Sequence, residues 1–159
     1  GLTNFFVYKP PITSALTQIK YRWVTDIAGS IIQNLPQTFP VSFENIPTLI
    51  PVPLHPVRAR YRGFNQAALM GRLIAQRYGW HFDESVLIRI KHTTPQVSHT
   101  RAERLTNMKG AFGVGRHSVE GSSYIIFDDV WTTGATLREC AKVLRSHGAQ
   151  QVWGVTIAH

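Results

Sequence analysis

The stretch from Ser123 to Ala158, SYIIFDDVWTTGATLRECAKVLRSHGAQQVWGVTIA, limits the possible folds more than any other part of the chain. It opens with SYIIF at 123–127, an apolar run of strand length. A short turn follows, and then an amphipathic helix over 135–147. Leu137, Cys140, Ala141 and Leu144 fall on the inward side of that helix, and Arg138, Lys142 and Arg145 on the outward side. Gly148 stops it, and QVWGVTIA at 151–158 reads as a second strand. Strand, helix and strand in that succession give a parallel pair joined by a crossover.

The rest of the chain extends the pattern. Leu16, Ile19, Trp23, Ile27 and Ile31 recur at helical spacing, so 14–33 reads as a helix that Thr13 or Ser14 can cap. Pro36, Pro40 and Pro47 make 34–47 a loop. TLIPVP, 48–53, is a short apolar strand, although Pro51 argues against a central place for it. Asn65 can cap a helix that runs to Tyr78, and Gly79 can end it. SVLIRI, 85–90, reads as the next strand. Residues 91–118 are polar and basic without periodicity, and a segment of that length in a compact domain is functional or mobile. The whole predicts an α/β fold, a parallel twisted sheet flanked by helices, in one domain of 159 residues. Ligands of such sheets bind beyond the carboxyl ends of the strands, where FDDVWTTGAT lies.

Composition removes several classes. Hydrophobic residues make up 43%, enough for a real core, yet no apolar run reaches membrane-spanning length and no signal peptide is visible. One cysteine, Cys140, makes neither an internal disulfide nor a cysteine-based zinc site, which fits a cytoplasmic setting. Its inward position suits a core residue. The seven histidines are scattered, and His92 and His99 lack partners at a metal-binding spacing. GVG at 113–115 lacks the third glycine of a dinucleotide fingerprint, and no Gly-Lys-Ser/Thr occurs. The net charge of +8 favours anionic partners: nucleic acid, anionic surfaces or phosphorylated small molecules. Arg58-Ala59-Arg60-Tyr61-Arg62, with its interleaved tyrosine, also suits single-stranded DNA.

The turn itself carries chemistry. Gly134 can take positive φ and lets backbone approach a ligand, and Ala135 does not obstruct it. The helix that follows supplies unpaired N–H groups and the positive end of its dipole. With the hydroxyls of Thr132, Thr133 and Thr136 they make a nest for phosphate. Asp128 and Asp129 need a different target, since carboxylates accept from hydroxyls and attract metal ions. A sugar phosphate satisfies both halves, with phosphate at the turn and the ribose diol at the acids. A capped loop with threonine N-caps is the plainer alternative.

YIIFDDVWTTGATL closely resembles the phosphoribosyl-pyrophosphate (PRPP) motif of type I phosphoribosyltransferases. More narrowly, VPVPLHPVRARYRGFNQA at 52–68 resembles the ComF/GntX family, with its Arg-Gly-Phe-Asn-Gln signature. KHTTPQVSHTRAERLTNMKGAF at 91–112 and the N-terminal FFVYKPPITSALTQIKY resemble it too. The resemblance implies the type I phosphoribosyltransferase fold, with 1–47 as lead-in or hood and 48–159 as core. It implies that Asp128 and Asp129 hold the ribose hydroxyls and act in catalysis, and that Thr132, Thr133, Gly134, Ala135 and Thr136 bind the 5′-phosphate. Pyrophosphate would meet the loop from Pro53 through Leu54 and His55, with charge from Arg58, Arg60 or Arg62. Residues 91–109 would be a flexible loop carrying Arg101 and Arg104. PRPP comes with Mg2+ that needs no direct protein ligand. Full-length relatives commonly begin with a cysteine-rich zinc module, and this chain carries no zinc site. The implied activity is phosphoribosyl transfer to an unidentified nitrogen acceptor. The alternatives are a non-catalytic accessory of competence, contacting single-stranded DNA or DNA-uptake proteins, and a PRPP-sensing regulator.

Overall fold

A computed structural model describes residues 1–22, 25–54, 60, 63–91, 107–115 and 119–159. Along the chain run β1 (Leu2–Phe6), α1 (Ile12–Arg22), α2 (Thr25–Gln33), β2 (Thr48–Pro51) and α3 (Gln66–Tyr78). There follow β3 (His81–Phe82), β4 (Leu87–Arg89), β5 (Phe112–Val114), β6 (Ser123–Val130), α4 (Ala135–Ser146) and β7 (Gln151–Ala158). Five strands form one sheet in the order β1-β7-β6-β2-β3, every neighbouring pair parallel. β4 and β5 form a separate antiparallel ribbon.

The apolar runs of β2, β6 and β7 follow from burial on both faces. Side chains alternate along a strand. On β6, Ile125 and Phe127 join a core with Leu16 and Ile19 of α1, Ile31 of α2 and Met70 and Ile74 of α3. Tyr124 and Ile126 join a second core on the other face, with Leu137, Cys140 and Leu144 of α4 and Leu87 and Phe112 of the ribbon. Fully burying a side chain such as Phe127 contributes about 2–3 kcal/mol. Gly71 lets α3 lie close on the sheet, because a Cβ there would stand 2.8 Å from Leu49 Cδ2. Among the described residues no helix is long and apolar enough to cross a membrane.

The parallel α/β architecture is as the sequence predicts, with four differences. The 14–33 helix is two helices, α1 and α2. SVLIRI does not join the parallel sheet; its Leu87–Arg89 pairs antiparallel with Phe112–Val114, leaving Ile88 and Ile90 44% and 59% exposed. The sheet edge on that side is β3, a strand too short to show a pattern. β1, unassigned from sequence, adds in parallel to β7 at the opposite edge. Pro51 is compatible with a central strand because it is the last residue of β2, and hydrogen bonding resumes at once, with Val52 N donating to Phe127 O at 2.8 Å.

Candidate functional site

The chain leaves β2 toward β3 on one side, and after the ribbon returns to β6 and passes to β7 on the other. β2 and β6 are therefore neighbours from which the connections diverge, and the crevice at their carboxyl ends is where open α/β sheets bind ligands. The register pairs Pro51 with Phe127, so the residues after β2 run beside the two acids of β6. The described part of the Pro53–His55 loop, residues 53–54, and the 128–136 segment, both singled out from sequence, thus meet at one end of the sheet.

β6 extends beyond the apolar run to Val130, so both acids lie within the strand. Alternation then turns Asp128 to the face of Ile126 and α4, and Asp129 to the face of Phe127 and α3. Both are half-buried. Asp128 Oδ1 accepts from Asp129 N at 2.9 Å, which fixes the first carboxylate at the strand end. Asp128 also bears on Cys140. Burial, with added repulsion from Asp128, holds that thiol well above its ordinary range. Cys140 is fully buried and protonated, a core residue as its spacing suggests.

The turn after β6 is built around Gly134, which adopts φ 71° and ψ 6° as the residue before α4. A Cβ at this position would run into the Trp131 ring, so glycine is required by conformation and by space. The Trp131 backbone is itself pinned at the sheet end, its amide N–H donating to Ala158 O at 2.8 Å. Thr133 Oγ1 accepts from Ala135 N at 3.4 Å. Thr132 is exposed, Thr133 and Thr136 are half-buried, and Gly134 and Ala135 are buried. The hydroxyls and the first turn of α4 therefore border the crevice on the side of the acids.

The opposite wall begins at Val52, Pro53 and Leu54. Asn65 fastens it: its Oδ1 accepts from Ala67 N at 3.0 Å, capping α3, while its Nδ2 donates to Val52 O at 3.1 Å. One side chain joins the start of α3 to the end of β2, and Gln66 beside it is buried. Arg60 is exposed and helical. His55, Arg58, Arg62, Arg101 and Arg104 lie outside the described residues.

Two contributors escaped the sequence reading. Glu139 of α4 accepts from Gly110 N at 2.6 Å, tying the ribbon to the helix that leaves the candidate site. Arg89 of β4 stands 5.4 Å over the Phe112 ring and, like Asp128, acts on the Cys140 thiol, so the ribbon carries a cation to the α4 face of the sheet. The pairing of Leu87–Arg89 with 112–114 has no local signal. The structural role of Asn65, by contrast, lies in the Phe-Asn-Gln of the signature.

A parallel sheet in this order, covered on both faces and bearing this turn at its switch point, is a type I phosphoribosyltransferase fold. It is similar to that of a glutamine PRPP amidotransferase from B. subtilis, with a TM-score of 0.50 and 18% identity over 83% of this chain and 25% of that one. No family model matches the chain. The DNA utilization protein YhgH of Salmonella typhimurium is 32% identical over 153 residues, 92% of this chain and 67% of the relative. Competence protein F of Haemophilus influenzae is 36% identical over 114 residues, 69% of this chain and 50% of that protein. The chain belongs to the ComF family of competence and DNA-utilization proteins.

Proposed function

We propose that the crevice between β2 and β6 binds PRPP and that the protein transfers its phosphoribosyl group to a nitrogen acceptor, releasing pyrophosphate. The observation that carries this reading is the meeting of the Asp128–Asp129 strand end, the Gly134 turn and the Val52–Leu54 segment at the switch point. The 5′-phosphate takes the Thr132–Thr136 turn, where hydroxyls and the N–H groups of α4 converge. The ribose 2′ and 3′ hydroxyls donate to Asp128 and Asp129, and the pyrophosphate lies toward the backbone of Pro53 and Leu54.

In the reaction, the acceptor nitrogen forms a bond to the anomeric carbon as the bond from that carbon to the pyrophosphate oxygen breaks. The electron pair leaves with pyrophosphate, and the acceptor loses a proton to solvent. Positive charge on the sugar in the transition state is favoured by the two nearby carboxylates. Adjacent, half-exposed carboxylates fit an ion that keeps most of its waters and takes oxygens from substrate, as Mg2+ does. Bound with PRPP, Mg2+ would neutralise charge on the leaving group. The Gly134 turn is fixed before the ligand arrives, so anchoring the phosphate needs little reorganisation.

The relatives' names point to DNA utilization and competence, which leaves two other readings: a non-catalytic accessory of DNA uptake, or a regulator that senses PRPP without turning it over. Pyrophosphate release, assayed with PRPP, Mg2+ and a panel of nucleobases and amines, separates transfer from both. Release that depends on one acceptor supports transfer; PRPP binding without release from any acceptor supports the sensing regulator.

A further inference from the structure

The carboxyl ends of four parallel strands stand in the order β2, β6, β7, β1. With PRPP bound as proposed, pyrophosphate lies at the β2 end and the ribose over the acids of β6. The acceptor nitrogen enters opposite the departing pyrophosphate, in line with the bond that breaks. Its approach is thus from the side of β7 and β1. The attacking atom waits about 3 Å from the anomeric carbon, and neighbouring strands are about 4.8 Å apart. The rest of the acceptor then extends over the end of β7 toward the end of β1.

Val130, Ala158 and Phe6 form one row across β6, β7 and β1. The residues after Phe6 stand just beyond that row, at the same end of the sheet as the acids. Val7 and Tyr8 are 64% and 46% exposed there. The other exposed large hydrophobic residues among those described are elsewhere: Ile46 precedes β2, at the amino end of the sheet, and Ile88 and Ile90 belong to the ribbon segment. The backbone at Val7 and Tyr8 is held in place. His159 N donates to Phe6 O at 3.1 Å and Tyr8 N to His159 O at 2.8 Å, which carries the β1–β7 ladder past its last paired strand residues. Lys9 N donates to Val7 O at 2.8 Å, and Lys9 O accepts from Thr13 N in the first turn of α1. An aromatic ring beside an aliphatic side chain, on fixed backbone and with no carboxylate from residue 7 to 11, suits a flat apolar ring better than a small cation.

We infer that Val7 and Tyr8 form the acceptor shelf of the site, and that Tyr8 stacks on the acceptor. The acceptor is accordingly a planar nitrogen heterocycle and not ammonia or an aliphatic amine. This rests on the PRPP reading and adds to it the substrate class and a specificity-determining residue. Stacking reads planarity and ring size and tolerates differences at the ring edge.

Saturation-transfer NMR tests it on the intact chain loaded with ribose 5-phosphate and Mg2+, which offers the phosphate and the diol without a leaving group, so nothing turns over. The probes are one-ring and two-ring nitrogen heterocycles, with ammonia and glycine as comparators. At least one heterocycle is expected to bind, and neither comparator. Tyr8→Ala should weaken that heterocycle about tenfold, as loss of an aromatic stacking partner does. Tyr8→Phe should keep its affinity, and PRPP titration and melting temperature should be the same for all three proteins. Ile46→Ala, an exposed apolar position at the other end of the sheet, should change nothing. The proposal is overturned if no heterocycle binds, if Tyr8→Ala binds it as well as the unsubstituted chain does, or if Ile46→Ala weakens it equally. PRPP binding that persists in those cases leaves the PRPP site standing without the shelf; failure of the unsubstituted chain to bind PRPP removes both.

Discussion

The turns after β2 and β6 stand side by side and are built by opposite means. The β6 turn passes from strand to helix in four residues, and its shape is set by one backbone conformation, Gly134 at φ 71° under the Trp131 ring. The β2 connection takes fourteen residues, 52–65, and what holds its described ends is side-chain bonding: Asn65 grips both Ala67 N and Val52 O. A short turn packed under an aromatic ring tolerates almost no change, whereas a long connection fixed at its ends loses stability in separable increments. Substitutions at Gly134, Asn65, Glu139 and Cys140 test that contrast.

The largest effect is expected at Gly134. Gly134→Val combines a left-handed conformation with a collision against Trp131, and should cost roughly 3 kcal/mol in urea unfolding and abolish PRPP binding. Adding Trp131→Ala should return the steric part of the loss and leave the conformational part. Full recovery would mean that the positive φ is incidental.

Asn65→Ala should cost about 2 kcal/mol, from the lost cap and the lost bond to Val52 O together. Asn65→Asp keeps the capping oxygen and removes the donor, so it should recover about half of that. If both variants cost the same, the bond to Val52 O is what matters. Glu139→Ala, which unties Gly110 from α4, should cost about 1–2 kcal/mol and leave the Asn65 result unchanged, because the two ties share no partner.

The smallest effect is in the alkaline range. The folded-state pKa of Cys140 lies above its ordinary value of 9.0, chiefly through burial. The folded chain therefore holds a proton that the unfolded chain gives up. This contribution is complete below pH 9.0 and declines as pH rises beyond it. Melting temperatures from pH 8 to pH 10 should fall more gently for Cys140→Ala than for the unsubstituted chain, on the order of a few degrees.

The same contrast explains what the sequence revealed. The β6–α4–β7 unit is legible because every signal in it is local: unbroken apolar runs for strands buried on both faces, an amphipathic helix and a glycine at each end of it. The Asn65 cap is legible for the same reason, although its second bond, thirteen residues back to Val52, is not. SVLIRI misleads because its apolar run resembles a buried strand while Ile88 and Ile90 face outward. Its partner lies beyond residue 110, set by a non-local pairing that no short window contains. β1 is hidden by its length and its half-buried edge position, which leave Leu2–Phe6 without a clear alternation. At the candidate site, residue types were readable, but strand length was not. That the acids sit inside β6 and divide between its faces depends on pairing with β7, Asp128 opposite Thr156.

Isothermal titration with PRPP at saturating Mg2+, on the unsubstituted chain and on Asp128→Asn/Asp129→Asn, tests the central claim most directly. The unsubstituted chain should bind one PRPP, and the double variant should bind roughly a hundredfold more weakly while unfolding at the same temperature, as expected for two lost charge-assisted hydrogen bonds. No heat from the unsubstituted chain, or equal binding by both proteins, would contradict a PRPP site at the β2–β6 crevice.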